Sequence, residues 1–140
     1  MILYLDSSAL VKLFVSEPAS EAARAMAGAA AVLATSRVSY AEASSAFARR
    51  HRERRLTEEA LRTLVDRLNA AWSDMALVDV DEIAAGALAV KHGLRGFDAI
   101  HLAAACVLHA AASEGLRFLS YDERQTIAAG HEGLRLAAPD

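Results

Sequence analysis

The chain has 140 residues, a net charge of −3, 54% hydrophobic and 24% charged residues, and a single cysteine. This is the size of one domain, spanning residues 1–140, which buries about two-thirds of its unfolded surface. The composition excludes an internal disulfide, a membrane-spanning stretch and a nucleic-acid binder recognisable by bulk positive charge, and it suits a cytoplasmic protein in a reducing compartment.

The first apolar run, Ile2-Leu3-Tyr4-Leu5, stops at Asp6-Ser7-Ser8. A short continuous run of this kind predicts a strand buried on both faces. Asp6 interrupts the run too early for it to serve as a leader's apolar region. Ser7 and Ser8 are expected to cap a helix over residues 9–14, leaving Asp6 at the carboxyl end of the strand. An aspartate here can also simply cap the helix. Ser16 and Pro18 mark a new helix start, with a helix over 19–27 ending at Gly28. Residues 31–35 form a second buried strand. Ser36 or Ser39 caps a helix over 38–52, and Glu42 lies in its opening turns.

That helix runs into the basic segment 49–55, with Arg49, Arg50 and Arg52. Basic residues at a helix C-terminus complement the dipole, and they can also contact phosphate. Thr57 caps the next helix, whose Leu61, Leu64, Val65, Leu68 and Trp72 share one face. Residues 75–78 form a third strand. Asp79 and Asp81 are the candidate caps, Asp79 and Glu82 with capping-box spacing, of a helix ending near His92-Gly93. A further helix begins at Phe97 with Asp98 in its first turn and Ile100, Ala104, Val107 and Leu108 facing inward. It ends at Ser113-Glu114-Gly115. Within it, Cys106 lies among alanines, as a small buried hydrophobe does. Residues 116–119 form a fourth strand, and Ser120 and Glu123 have the capping-box spacing for a final helix, so that Asp122 is not needed as its cap. A short strand over 133–136 precedes a frayed end at 137–140.

Alternating strands and helices predict an α/β fold with a parallel sheet of four to five strands covered on both faces. Ligands bind at the carboxyl edge of such sheets. Asp6, Glu42, Asp98 and Asp122 all map to that edge. Four carboxylates in one crevice repel one another unless a cation lies among them. An all-oxygen anionic set suits Mg2+, or Mn2+ in its place, whereas no Cys/His cluster suggests zinc. Such sites serve phosphoryl chemistry. His101, one turn from Asp98, is either a core residue or a support for the site.

The segments Leu3–Leu13 and Leu94–Ala105, the acid at Glu42, and Phe118-Leu119-Ser120-Tyr121-Asp122 together resemble PIN-domain proteins, and among these the VapC-type toxins of toxin–antitoxin pairs. The resemblance spans essentially the whole chain. It implies a PIN-like three-layer α/β/α fold and a Mg2+-dependent endoribonuclease held inactive by a cognate antitoxin. It implies that Asp6 and Asp98 bind metal directly, that Glu42 and Asp122 complete the site through water, and that Ser7 and Ser120 lie beside it. Lys12, Arg49, Arg50, Arg52 and Arg95 are candidates to hold the RNA backbone, and a homodimer is expected. The competing readings are an inert PIN-like module that only binds a protein, and phosphotransfer through Asp6. The latter wants a second acid two residues on, where this chain has Ser8.

Overall fold

The computed structural model of the chain describes residues 1–112 and 115–138. Its sheet has five strands, all parallel: β1 (Ile2–Leu5), β2 (Val32–Ser36), β3 (Ala76–Val78), β4 (Leu116–Leu119) and β5 (Arg135–Leu136), in the order β3-β2-β1-β4-β5. Seven helices connect them among the described residues: α1 (Ser7–Phe14), α2 (Ser20–Ala29), α3 (Ser39–Arg52), α4 (Glu58–Trp72), α5 (Glu82–His92), α6 (Gly96–Ala111) and α7 (Glu123–His131). None is long and apolar enough to cross a membrane.

The three layers follow from the alternation of β1. Leu3 and Leu5 face a core completed by Leu10, Phe14, Phe47, Leu64 and Leu68 of α1, α3 and α4. Tyr4 faces the opposite core, with Leu102 and Ala105 of α6, Phe118 of β4 and Ala128 of α7. Burial on both faces is why β1 reads as an uninterrupted apolar run rather than an alternating one. The chain first builds outward from β1 to β2 and β3, then crosses back to β4 and β5. The reversal of strand order therefore lies between β1 and β4, where an open α/β sheet forms its ligand crevice. Leu5 pairs with Leu119, so Asp6 and Ser120 emerge side by side at that point.

Helix starts depart from expectation in a consistent way. Asp6, not Ser7 or Ser8, caps α1, its carboxylate accepting from Ala9 N at 2.9 Å. Of the two candidate caps of α5, Asp81 takes the role as expected, while Asp79 pairs with Arg37 on the surface. Asp122, not Ser120, caps α7 through Gln125 N at 3.0 Å. In each case the aspartate directly before the first helical residue reaches the amide three residues on. The serines expected as caps at the two site helices are occupied elsewhere: Ser8 and Ser120 both donate to Asp6. α3 has no side-chain cap, because its N-cap position is Val38; Ser39, the first helical residue, bonds Thr35. α2 begins after Ala19, a left-handed residue at φ 69°, and continues through Gly28 to Ala29. α5 ends as expected at Gly93, whose φ of 65° suits the left-handed C-cap.

The buried surface of α6 is broader than expected. Ala99, His101, Leu102, Ala103, Ala104 and Ala105 are buried, while Val107 is exposed, because α6 is packed against both the sheet and α5. In α4, Leu64 and Leu68 are buried and Leu61, Val65 and Trp72 pack at the rim of the core. Cys106 is half-buried beside the second core, and burial pushes its thiol up. The expected helix end at Ser113-Glu114 and the last two residues, Pro139 and Asp140, lie outside the described residues.

Candidate functional site

Asp6 is 3% exposed. One carboxylate oxygen accepts from Ser8 Oγ at 2.7 Å and Ala9 N at 2.9 Å, and the other from Ser120 Oγ at 2.5 Å. Every one of these donors is neutral. Burial pushes the Asp6 carboxyl above the usual range, opposed by the bonds from Ser120, Ser8 and Ala9 and by His101. A buried carboxylate solvated only by neutral groups is a site of unbalanced negative charge.

Glu42 lies in the first turn of α3, directed to the same edge. Ser7 Oγ donates to Oε2 at 2.9 Å, and His101 Nε2 lies 2.9 Å from Oε1. On its other side His101 Nδ1 is 2.9 Å from the Tyr4 hydroxyl. Burial, reinforced by Asp6 and Glu42, pushes the Tyr4 hydroxyl well above its usual range, so it stays protonated. Asp98 in the first turn of α6 and Asp122 before α7 are joined by one side chain. Arg95 Nε donates to Asp98 Oδ2 at 3.2 Å, and Arg95 Nη2 lies 3.6 Å from Asp122 Oδ2. Asp122 N donates to Ser120 Oγ at 3.0 Å, which completes the link back to Asp6.

All four expected acids therefore gather at the carboxyl edge, and Ser7 and Ser120 bond to two of them. Among the described residues no three His, Cys, Asp or Glu side chains converge as a ready-made metal cage. The reason is local: Glu42 is turned to Ser7 and His101, and Asp98 and Asp122 are turned to Arg95. The donor set itself fits a hard divalent cation, being carboxylate oxygen throughout, with the buried charge of Asp6 at its centre. Asp6, Glu42, Asp98 and Asp122 are the residues that would hold such an ion.

The five basic candidates divide. Arg49 borders a crevice of about 310 Å³ that also contains Ser7, Ser8, Glu42 and Tyr121. Arg95 is 81% exposed beside Asp98 and Asp122. Arg52 is exposed at the end of α3. Lys12 and Arg50 line the same crevice as Arg49 and share Glu17 there, at 2.9 and 2.5 Å, and Lys12 also lies 4.7 Å from the Tyr121 ring centre. These two cations tie α1 and α3 to the α1–α2 connection.

Burial pushes the Glu17 carboxyl up, but the hydrogen bonds from Lys12 and Arg50 outweigh it and hold the group below its usual range. Glu17→Gln leaves two cations, each only 13% exposed, without their anion. The expected loss is about 1–2 kcal/mol at neutral pH once the partial exposure of Glu17 is allowed for. A lowered carboxyl contributes stability above its unfolded pKa and loses it as pH falls through the folded one. Urea unfolding should therefore show the gap between wild type and Glu17→Gln closing below about pH 4. A gap independent of pH would contradict the assignment.

Two parts of the site carried no sequence signal read as functional. Gln125 is fully buried, and its Nε2 donates to the backbone carbonyl of Asp98 at 3.1 Å, locking α7 to α6 beneath the acids. Thr35 Oγ1 donates to the Leu5 carbonyl at 2.7 Å and bonds Ser39 at 2.6 Å, fixing the end of β1 against the start of α3. A buried glutamine on an otherwise apolar helix face was the available signal for the first.

Residues 3–130 match the PIN domain family. Among curated relatives, Ribonuclease VapC46 of Mycobacterium tuberculosis (strain ATCC 25618 / H37Rv) is 38% identical over 148 residues, covering 98% of this chain and 97% of that protein. Ribonuclease VapC45 of Mycobacterium tuberculosis (strain CDC 1551 / Oshkosh) is 34% identical over 139 residues, covering 97% and 94%. The fold is similar to that of FitAcB from Neisseria gonorrhoeae, with a TM-score of 0.65 at 20% identity, covering 99% of this chain and 98% of that one. It is also similar to a toxin–antitoxin complex from Klebsiella pneumoniae, with a TM-score of 0.63 at 18% identity, covering 99% and 98%.

Proposed function

Because the chain belongs to the PIN domain family and has VapC ribonucleases as relatives along nearly its whole length, we propose that it is a Mg2+-dependent endoribonuclease toxin neutralised by a cognate antitoxin. It acts as one domain, in the cytoplasm, on RNA. The observation that carries the reading is Asp6, a buried carboxylate with neutral donors only, at the head of an edge where three further acids gather. Packing alone gives no reason to assemble that charge.

In this reading Asp6 and Asp98 hold the ion directly, and Glu42 and Asp122 through water. When bound, Mg2+ or Mn2+ offsets phosphodiester charge and lowers the pKa of the attacking water, giving 5′-phosphate and 3′-hydroxyl products. The chain's own residues do the positioning. Ser8 and Ser120 orient Asp6, and Ser7 orients Glu42. Arg49 and Arg95 flank the acids, where they can hold the phosphates on either side of the scissile bond. Arg95 is free to do so once the charge of Asp98 and Asp122 is balanced by the ion.

For the antitoxin, the surface that supports the reading is a cleft of about 660 Å³ lined by Phe14, Val15, Leu56, Ala60 and Leu64, with Glu17, Arg50 and Arg55 among its charged residues. The cleft runs between the end of α1 and the start of α4, and Leu68 lies outside it in the core. An amphipathic helix of the antitoxin would fit there. Ile83 and Val90, 80% and 89% exposed on α5, offer apolar surface for the homodimer in this reading.

The test is cleavage of labelled RNA with Mg2+, with EDTA and with the co-expressed antitoxin. Cleavage is expected only with Mg2+ or Mn2+, and its loss in the complex. Undiminished cleavage in EDTA would overturn the metal mechanism. Absence of cleavage under every condition would favour an inert binding module.

A further inference from the structure

We infer that His101 is a positioning residue for the site, holding the Glu42 carboxylate in its working orientation through a buried relay that begins at Tyr4 of β1. The inference rests on the nuclease reading above and adds a component that no acid supplies.

The relay is built from three elements distant in sequence. His101 is 1% exposed, so both ring nitrogens must find partners within the protein. They find one each: Tyr4 O at 2.9 Å from Nδ1 and Glu42 Oε1 at 2.9 Å from Nε2. Only one proton arrangement satisfies the neutral ring. A carboxylate is acceptor only, so Nε2 carries the hydrogen and donates to Glu42. Nδ1 is then the acceptor, and the Tyr4 hydroxyl donates to it. The tautomer that serves Glu42 is thus the one to which the Tyr4 hydroxyl donates.

Tyr4 is itself fully buried. Its ring stacks on Phe118 at 5.6 Å and 8°, and meets the His101 ring edge-on at 6.0 Å and 73°. It also lies two residues before Asp6, on the strand that Asp6 follows directly, and His101 lies one helical turn after Asp98. One rigid pair of elements therefore positions two acids directly and a third through the imidazole. Glutamate has three free side-chain torsions, and Ser7 binds only one of its oxygens. With His101 on the other, both oxygens of Glu42 are fixed. Serving the ion through water, Glu42 is itself an outer partner of the metal, and loss of such a partner, or of its orientation, typically costs about 10- to 100-fold in metal affinity or activity.

The alternative is that His101 is a satisfied core histidine with no bearing on Glu42. Two substitutions of like polarity separate the cases. His101→Gln places an amide N–H near the Nε2 position and can still reach Glu42. His101→Asn places its amide near the Nδ1 position, where it can satisfy Tyr4 but falls short of Glu42. Melting temperature, the Mg2+ concentration at half of the Mg2+-induced thermal shift, and kcat and KM for RNA cleavage are measured for both. The expected result is a kcat lowered about 10- to 100-fold in His101→Asn with KM changed less than about twofold, together with a raised Mg2+ midpoint. His101→Gln should recover most of both. Tyr4→Phe, which keeps the ring packing and removes only the hydroxyl, should move the same two quantities in the same direction by less. In a Glu42→Gln background His101→Asn should cause little further loss, because the two act as a unit.

If wild type cleaves RNA and responds to Mg2+ but His101→Asn and Tyr4→Phe keep its kcat and Mg2+ midpoint within about twofold, His101 is only a core residue and the positioning role is overturned while the nuclease reading stands. If wild type itself neither cleaves RNA nor shifts with Mg2+, the nuclease reading fails and takes the positioning role with it.

Discussion

Asp6→Asn is expected to abolish the Mg2+-induced thermal shift and to lower RNA cleavage by about 100-fold or more, beyond the range typical for an outer partner of a metal ligand. It should do so without weakening the metal-free fold. Asparagine caps a helix about as well as aspartate, so the bond from Ala9 N survives. Its carbonyl still accepts from Ser8. Its amide meets Ser120 Oγ, which can turn its own hydrogen toward Gln125 Oε1, 3.4 Å away. What disappears is a buried negative charge, so the melting temperature in EDTA should equal or exceed that of wild type.

The pH dependence has a definite sign. Burial raises the Asp6 carboxyl above its usual range. A raised carboxyl contributes stability that is complete below its unfolded pKa and is lost as pH climbs through the folded one. The advantage of Asp6→Asn in EDTA should therefore be absent near pH 3 to 4 and grow as pH rises past the ordinary aspartate range. Mg2+ reverses the order at neutral pH, since it binds the folded wild type and not the unfolded chain. Retained Mg2+ stabilisation together with retained cleavage in Asp6→Asn would remove Asp6 from the metal site.

Asp98→Asn carries the second large expected effect, again about 100-fold or more in cleavage. Its structural cost is small. Asp98 does not cap α6: the N-cap is Arg95, with no side-chain cap bond. The partner it loses, Arg95, is 81% exposed, and an ion pair that open to solvent contributes about 0–1 kcal/mol. The backbone carbonyl that receives Gln125 is untouched. Unfolding in EDTA should therefore change by no more than about 1 kcal/mol, allowing for the first-turn charge as well. Mg2+ should raise the melting temperature of the wild type and leave the mutant nearly unmoved. Equal shifts in the two proteins, with cleavage retained, would exclude Asp98 as a ligand.

These two acids show how much of the site is written locally. Asp6 ends an apolar run and Asp98 opens a helix, so both could be assigned to the carboxyl edge from pattern alone. The same holds for the parallel sheet, since a strand buried on both faces and connected through helices has few other solutions. Cap residues were less legible. Asp, Ser and Thr are near-equivalent caps, and which of two neighbours takes the amide depends on what else competes for the other. Ser8 and Ser120 were removed from that role by Asp6, and Ser120 lies 114 positions away from it in sequence. The basic residues are subject to the same competition: Lys12 and Arg50 line the crevice beside Glu42, and the fold also brings Glu17 between them.

What the sequence determined by itself was the set of strands and helices, the two buried faces of β1, and the edge at which the four acids collect. Those properties follow from apolar runs, helical spacing and breakers, all of which act over a few residues. Only the tertiary structure decided the partners of each polar group: Tyr4 with His101 across 97 positions, His101 with Glu42 across 59, and Arg95 between Asp98 and Asp122. Periodicity reports which side of an element is buried, whereas a hydrogen bond between elements depends on the crossovers that set them side by side and on what else competes for each donor.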